Sequence, residues 1–328
     1  MKKILVTGSS GFIGRKFLSL YNNEFDLIGL DTNYYLGSQD FDPKINFIKK
    51  DIRNINSSDL KGVDVIVHMA ELCNDPLSEL NPRLTYDINV NATQKLLEIA
   101  KDSVKKFIYM SSCSVYGKSS NQFVDENSNV EGLTEYSKAK INNENFILNN
   151  NFDDMEIIIL RNATVFGSSE NIRLDLVVNN LIYFGLINGR IELQSDGTPL
   201  RPLIHVQDVC GIIKTIIRSD KKFDKEIFNN GSTLMNYSVK EIANKVADSL
   251  GIDVILPNKK DIDQRSYRVN FDKLEKFFHY EFVHDLVSGI EEIKSFIHNN
   301  NEFNYGFRLQ VINNLIKEKK LDKDLYWV

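Results

Sequence analysis

The fold of this chain is decided by one stretch near its start, Ile4-Leu5-Val6-Thr7-Gly8-Ser9-Ser10-Gly11-Phe12-Ile13-Gly14. A short apolar run enters a turn with three glycines at G-x-x-G-x-x-G spacing, and residues 11–21 then carry apolar side chains at helical spacing. Such glycines allow a sharp turn, a close approach of the backbone to a pyrophosphate, and tight packing of helix on strand. The helix N-terminus adds N–H donors and the positive end of its dipole. The predicted cofactor-binding residues of this turn are Gly8, Gly11, Phe12, Ile13 and Gly14; a glycine-rich turn without a ligand is the alternative.

The same alternation of short apolar runs and longer amphipathic segments continues through the first half of the chain. Strands are predicted at residues 4–7, 27–30, 46–49, 65–68, 107–111 and 157–160, and helices at 11–21, 84–100 and 136–149. Strands that alternate with helices in this way form parallel sheets. The pattern therefore predicts an α/β fold of the Rossmann type, with a doubly wound parallel sheet.

The alternation weakens after residue 167, which predicts a second and smaller unit. Helices are expected at 174–185, 239–250 and 289–297, and a strand at 202–206 is followed by a helix from Val209. We expect a dinucleotide-binding Rossmann domain at 1–167, to which the chain returns around 202–228, and a mixed α/β substrate lobe at 168–328. The tail at 304–328 is predicted to form a helix that docks on the surface.

Composition and charge exclude several classes of protein. The 328 residues are 42% hydrophobic and 26% charged, which is typical of a folded globular protein. The net charge of −5 comes from mixed acidic and basic residues, so no basic face for nucleic acid is expected. No stretch approaches the about 20 apolar residues that cross a bilayer, and no export signal is expected. Cys73, Cys113 and Cys210 lie far apart without metal-ligand spacing, which favours a metal-free protein of the reducing cytoplasm.

Two acidic positions bear on which dinucleotide binds. Asp31 closes the second predicted strand, where a carboxylate can accept hydrogen bonds from the adenosine ribose and would repel a 2′-phosphate. This favours NAD over NADP, although Arg15 could contact a 2′-phosphate instead. Asp51 and Ile52 follow the third strand and could contact the adenine; a plain loop is the alternative there.

A second motif lies at the start of the predicted helix 136–149. Tyr136 and Lys140 are four residues apart, so they share one face of the helix. A phenol with a pKa of about 10 is a poor base at neutral pH, and a nearby ammonium group lowers that pKa. Ser112 follows the strand at 107–111 and could bind the same substrate hydroxyl. These three residues predict an acid/base site, although Tyr-x-x-x-Lys alone is common by chance.

Taken together, the glycine turn, the serine at a strand end and the later Tyr and Lys carry a resemblance. The chain resembles the extended short-chain dehydrogenase/reductases, and within them the NAD-dependent epimerase/dehydratase family that acts on nucleotide sugars. Further similar strings occur in the same order along nearly the whole chain. They are Val67-His68-Met69-Ala70, Asn89-Val90-Asn91-Ala92-Thr93 and Arg201-Pro202-Leu203-Ile204-His205-Val206-Gln207-Asp208.

The resemblance implies a role for each matching position. Tyr136 would be the acid/base, Lys140 its pKa partner and a ligand of the nicotinamide ribose, and Ser112 the orienting hydroxyl. Further cofactor contacts are implied for Ala70, Asn89, which would brace the helix behind Lys140, and Ser111. Substrate contacts are implied for Ser112, Asn74, Thr164, Asn179, Arg201 and Arg265, where the two arginines would hold the nucleotide phosphates. The resemblance also implies a homodimer, joined through two long helices of each subunit.

Three departures from the family pattern bear on the reaction. Cys113 and Ser114 stand where the family's dehydratases usually carry an acidic residue, so loss of water is disfavoured. Thr164 replaces a common asparagine that contacts the substrate. Glu71 replaces a small residue beside the substrate pocket, and it would either read sugar hydroxyls or lie in an exposed loop.

The sequence therefore favours a nucleotide-sugar epimerase that works by reversible hydride transfer, most plausibly at C4 of the sugar. A dehydrogenase or ketoreductase with net redox change would use the same residues, and the sequence does not separate the two. A module that senses NAD without turnover is the alternative from another class. It is disfavoured because Tyr136 and Lys140 are both present.

Overall fold

The structure is a computed structural model that describes residues 1–35, 42–73, 75–152, 154–257, 265–300, 303 and 306–328. Its strands are β1 Lys3–Thr7, β2 Asp26–Asp31, β3 Asn46–Lys49, β4 Val65–His68, β5 Lys106–Ser112, β6 Lys118–Val124, β7 Glu156–Asn162, β8 Thr164–Phe166, β9 Arg190–Glu192, β10 Leu200–His205, β11 Lys225–Asn230, β12 Asn236–Ser238, β13 Asp253–Ile255 and β14 Ser266–Val269. Its α-helices are α1 Phe12–Tyr21, α2 Asp75–Leu80, α3 Pro82–Tyr86, α4 Ala92–Ala100, α5 Glu135–Asn149, α6 Val177–Asn188, α7 Val206–Arg218, α8 Val239–Leu250, α9 Asp272–Phe278, α10 Leu286–Asn299 and α11 Arg308–Lys317.

A seven-stranded sheet forms the centre of the protein, with the strand order β11-β7-β5-β4-β1-β2-β3 and every neighbouring pair parallel. Its five central strands, β7, β5, β4, β1 and β2, are mostly apolar because both faces of the sheet are covered. One face packs on α1 and α7 through residues such as Phe17 and Ile213. The other packs on α4 and α5 through Leu96 and Ile147. The predicted doubly wound Rossmann sheet is confirmed.

A smaller set of elements stands beside this sheet. It contains the three-stranded sheet β12-β10-β8, the parallel pairs β13-β9 and β14-β6, and the helices α6, α8 and α10. These helices pack around a separate apolar cluster that includes Phe166, Ile182, Ile242 and Ile290. The predicted smaller mixed α/β part is therefore present, while the division of the chain at residue 167 stays a prediction.

The structure differs from the predicted elements at four places. The strand expected at 202–206 pairs with β8 and β12 in the small sheet, and the chain returns to the large sheet through α7 and β11 instead. Strand β11 was missed because its sequence, KEIFNN, has only two apolar residues. The helix predicted at 84–100 is α3 and α4 joined by a π-helical segment at Asp87–Asn91. The helix of the tail ends at Lys317 and does not include the last residues.

Two further findings concern the part of the chain that the structure describes. None of the helices there has both the length and the apolar character needed to span a bilayer. The described residues also contain no group of three or more His, Cys, Asp or Glu side chains that could hold a metal ion.

Candidate active site

A cleft of about 870 Å³ opens at the carboxyl ends of the strands in the large sheet. In open α/β sheets this is the edge at which ligands bind. Most of the site residues predicted from the sequence line this cleft: Gly8, Gly11, Phe12, Ile13, Gly14, Asp31, Asp51, Ile52, Ala70, Ser111, Ser112, Tyr136, Lys140, Thr164, Arg201 and Arg265. The structure therefore brings together residues that are up to 257 positions apart in the sequence.

The glycine turn joins β1 to α1 and has little room for side chains. Gly8 has a φ of +71°, and a Cβ atom there would lie 2.6 Å from the carbonyl carbon of Met69. A Cβ atom on Gly14 would lie 2.4 Å from the carbonyl oxygen of Gly8. Helix α1 begins after Gly11 with no side-chain cap and no acidic residue in its first turn. Its N–H groups and dipole are therefore suited to an anionic group, as the pyrophosphate of a dinucleotide is.

Asp31 ends β2 on the wall of the cleft, next to the glycine turn. One carboxylate oxygen accepts a hydrogen bond from the backbone N–H of Ser10 at 3.0 Å, and the other accepts one from Asn33 at 2.8 Å. Burial raises the pKa of Asp31, and these two N–H groups oppose the rise. The carboxylate is held in a fixed orientation and can still accept bonds from ribose hydroxyls, since each oxygen has two lone pairs. Arg15 is not among the residues that line the cleft.

Asp51 and Ile52 lie farther along the same wall. The carboxylate of Asp51 pairs with the guanidinium of Arg53 at 2.7 Å and accepts the backbone N–H of Arg53 at 2.8 Å. Ile52 is 4% exposed and belongs to the core beneath the sheet. The segment is a short 3₁₀ helix, Ile52–Asn54, with Asp51 at its N-cap, and not an irregular loop.

Tyr136 and Lys140 lie in the first two turns of α5, whose start is fixed by a capping box between Thr134 and Ser137. The ammonium of Lys140 lies 5.4 Å from the centre of the Tyr136 ring, as expected for residues on one helix face. Ser112, at the end of β5, accepts the backbone N–H of Ser114 at 3.1 Å. All three predicted catalytic residues line one cleft.

Glu71 changes the electrostatics that the sequence predicted for this site. Its carboxylate forms a direct ion pair with Lys140, and both side chains are at least 96% buried. The hydroxyl of Tyr109 donates to the same carboxylate at 3.0 Å and accepts a bond from Asn143 at 3.0 Å. Burial raises the pKa of Glu71, while Lys140 opposes the rise. Glu71 is therefore a buried partner of the lysine and does not lie in an exposed loop.

The expectation that the pKa of Tyr136 is lowered is not met in this structure. Burial raises the pKa of Tyr136 well above its usual value, and the negative charge of Glu71 raises it further. The ammonium of Lys140 also donates to the backbone carbonyl of Met110. The lysine is thus shared between Glu71 and the end of β5, and much of its charge is neutralised before it can act on the phenol.

A second buried ion pair fixes the end of β5 against α5. Glu144 of α5 pairs with Arg161 of β7 at 2.7 Å, and both side chains are at least 95% buried. The hydroxyl of Ser111 donates to Glu144 at 2.5 Å. This network holds β5, α5 and β7 in a fixed relation, and therefore sets the position of Ser112 relative to Tyr136.

Two predicted residues lie away from the cleft wall. Asn179 is fully buried, and its side-chain amide forms both of its bonds with the backbone of Gly167, at 3.2 and 2.9 Å. The predicted substrate contact therefore does not fit its placement, and the next residue, Asn180, lines the cleft instead. Asn89 is also fully buried. Its side chain forms hydrogen bonds with the backbone of Leu72, and its backbone carbonyl accepts a hydrogen bond from the side-chain amide of Asn143 in α5. Asn89 therefore braces α5 without reaching the cleft.

Thr164 and two arginines also line the cleft. Arg201 of β10 donates to the backbone carbonyl of Arg265 at 2.6 Å, and Arg265 forms an ion pair with Asp75. The two predicted phosphate ligands are therefore neighbours, as binding of one diphosphate requires. Asn74, another predicted substrate contact, lies outside the described residues.

The cleft also contains polar residues that were not predicted. Arg173 is 9% exposed, pairs with Asp175 at 2.9 Å, and donates to the sulfur of Cys73 at 3.3 Å. Arg308 reaches the cleft from α11 and is 1% exposed. Ser114 lines the cleft, and its buried hydroxyl has no hydrogen-bond partner among the described residues. No local pattern pointed to Arg308, because a single arginine in a lysine-rich tail is ordinarily a surface residue.

The sequence model of the NAD dependent epimerase/dehydratase family matches residues 4–231. The chain belongs to this family. A putative UDP-glucose 4-epimerase of Methanocaldococcus jannaschii is 30% identical and matches over 91% of this chain and 99% of its own length. An uncharacterized UDP-glucose epimerase of Bacillus subtilis is 26% identical, over 88% of this chain and 95% of its own.

Solved structures of other proteins are similar to this chain over most of its length. The UDP-glucuronic acid 4-epimerase of Bacillus cereus, in complex with UDP-glucuronic acid and NAD, is 26% identical with a TM-score of 0.79. The similarity covers 90% of this chain and 99% of that one. A dehydratase of tunicamycin biosynthesis shares the fold with a TM-score of 0.82 at 21% identity. The fold therefore serves more than one reaction, and the residues of the cleft must distinguish them.

Proposed function

We propose that the protein is an NAD-dependent epimerase that inverts C4 of a sugar carried on a nucleoside diphosphate, with UDP as the expected nucleotide. The observation that carries the proposal is the meeting of Ser112, Tyr136 and Lys140 in one cleft with the glycine turn. The M. jannaschii and B. cereus relatives, named as sugar 4-epimerases, support the position and the nucleotide.

The glycine turn and Asp31 would hold NAD, which would supply hydride transfer from C4 of the sugar and back to its opposite face. In the proposed reaction, Tyr136 takes the proton of the C4 hydroxyl as that carbon becomes a ketone. It gives the proton back when the hydride returns. Ser112 holds the reacting oxygen through its hydroxyl, and Lys140 is proposed to bind the nicotinamide ribose. Neither the protein nor the cofactor is changed over one cycle.

The chemistry next to Ser112 supports epimerisation over loss of water. Elimination needs an acid that can protonate a leaving hydroxyl. Cys113 is 1% exposed, its thiol donates to the carbonyl of Arg161 at 3.1 Å, and burial raises its pKa well above the usual value. Ser114 offers only a neutral hydroxyl. Neither residue can replace a carboxylic acid.

The two ends of the cleft support the proposed ligands. Asp31 is proposed to bind the ribose of the adenosine and so to favour NAD over NADP. Arg201 and Arg265 are proposed to bind the diphosphate of the substrate, with Thr164 and Asn180 nearby on the wall. We also propose that the protein is cytoplasmic and forms a homodimer; sedimentation analysis of the purified protein would test the dimer.

The experiment is incubation of the purified protein with UDP-glucose, UDP-glucuronic acid and UDP-N-acetylglucosamine, followed by NMR of the products and by absorbance of NADH. A C4 epimer with no net NADH supports the proposal. Net NADH formation with a keto-sugar product would instead show a dehydrogenase, and no product with any sugar would refute the proposal.

A pair of variants ties the activity to the site. Tyr136→Phe removes the proposed base, and we expect a loss of turnover with NAD binding retained. Tyr86→Phe is the matched control, because Tyr86 is 50% exposed and does not line the cleft. Turnover that survives in Tyr136→Phe would remove the assigned acid/base role.

A further inference from the structure

We propose that Arg308, carried by the C-terminal helix α11, binds the pyrophosphate of the dinucleotide. The C-terminal segment 308–328 is then a part of the cofactor site. The inference rests on the proposed function only in that a dinucleotide occupies the cleft, and it holds whichever sugar is the substrate.

The position of Arg308 follows from two contacts that lead to the glycine turn. Its guanidinium donates to the side-chain oxygen of Asn171 at 2.9 Å and to the backbone carbonyl of the same residue at 3.0 Å. The amide of Asn171 in turn donates to the backbone carbonyl of Ser10, inside the glycine turn. Only one side chain therefore separates Arg308 from the backbone that would hold the pyrophosphate.

The charge of Arg308 is costly in its position. The side chain is 1% exposed, and its guanidinium lies 4.4 Å from the centre of the Tyr35 ring. Burial and the positive charge of Arg173 on the same wall lower the pKa of Arg308, while Tyr35 and Asp175 oppose this. The guanidinium has five N–H donors, so it can bind an anion in the cleft as well as its partners within the protein. The pyrophosphate is the anion expected beside this turn, and the planar donor set of arginine matches its oxygens.

The rest of the segment is fixed to the adenosine side of the same cleft. Ile312, Leu321 and Leu325 are buried in the core under the sheet. The hydroxyl of Tyr34, a cleft residue, donates to the carbonyl of Leu325, and the indole of Trp327 donates to the carbonyl of Thr32 at 2.7 Å. The segment is therefore anchored beyond Arg308, and the guanidinium is held in place rather than free to swing away.

A purely structural role for Arg308 makes a different prediction. If the arginine only positioned Asn171 and the glycine turn, its loss would weaken every ligand of the cofactor cleft alike. If it binds the pyrophosphate, its loss weakens only ligands that contain this group.

The test is calorimetric titration of the full-length wild type and Arg308→Gln with NAD, ADP-ribose and adenosine. Glutamine can still donate to Asn171 but carries no charge. A hydrogen bond to a charged group contributes enough for about a 10- to 100-fold change in Kd. We expect a weakening of this size for NAD and ADP-ribose and an unchanged Kd for adenosine. Unchanged NAD affinity, or an equal weakening of all three ligands, overturns the proposal.

Two controls separate this result from other failures. Arg218→Gln changes an arginine of α7 that pairs with Glu24 and does not line the cleft, so its NAD affinity should match the wild type. Because the readout is binding, a wild type that binds NAD but epimerises no sugar refutes the proposed function and leaves the role of Arg308 measurable. A wild type that binds no NAD refutes both.

Discussion

The ion pair between Glu71 and Lys140 leads to a quantitative prediction about stability. The two side chains are 3% and 4% exposed, so water cannot solvate one charge when the other is removed. Removing one member of a buried ion pair destabilises a protein by about 3–5 kcal/mol. We expect Glu71→Gln to lower the free energy of unfolding by about this amount, even though glutamine keeps an oxygen for the hydroxyl of Tyr109.

The assay is urea unfolding at pH 7.5, followed by circular dichroism, of four proteins: wild type, Glu71→Gln, Lys140→Met and the double variant. Removing both charges leaves no unpaired charge, so the double variant should lose less stability than the two single variants together. If the two losses simply add, or if Glu71→Gln loses less than about 1 kcal/mol, the charges do not interact as the structure shows.

Three further predictions concern pH and cofactor choice. Burial and, after it, the charge of Glu71 raise the pKa of Tyr136, which acts as a base only without its proton. Glu71→Gln should therefore move the rising limb of the pH profile of kcat to lower pH. A rising limb at the same pH as in the wild type would contradict this. Burial raises the pKa of Glu292, but the hydrogen bond from His205 and other contacts outweigh it and lower that pKa from 4.5 to about 2. The stability that this carboxylate contributes is complete above pH 4.5 and is lost as the pH falls to about 2. Thermal unfolding over this pH range should show a smaller loss of stability in Glu292→Gln than in the wild type. The same loss in both proteins would refute the assignment. Asp31→Arg should raise the ratio of NADP to NAD affinity in binding titrations, and an unchanged ratio would remove Asp31 from the ribose site.

Local patterns explain why much of the fold was predictable. Short apolar runs in the sequence predicted six strands of the large sheet, β1 to β5 and β7. Parallel strands that are buried on both faces are mostly apolar, which makes such runs visible. The glycine turn and the placement of Tyr136 and Lys140 on one helix face were also predictable. Each depends only on residues a few positions apart in the sequence. Strand β11 escaped this reasoning because it lies at the edge of the sheet and four of its six residues are polar.

The long-range contacts of the site could not be predicted. Glu71 was noticed as an unusual residue, but its ion pair joins positions 69 residues apart, and no pattern in either segment specifies it. Asn179 and Asn180 illustrate a different problem. Both are plausible ligands by type, and only the packing of α6 decides that one bonds Gly167 while the other faces the cleft.

The position of β11 has a consequence for how the protein folds as it leaves the ribosome. The edge strand that completes the large sheet begins 63 residues after β7 ends. A nascent chain that has emerged only as far as residue 167 leaves one edge of β7 unpaired and open to aggregation. The large sheet therefore cannot be completed until β11 has left the exit tunnel.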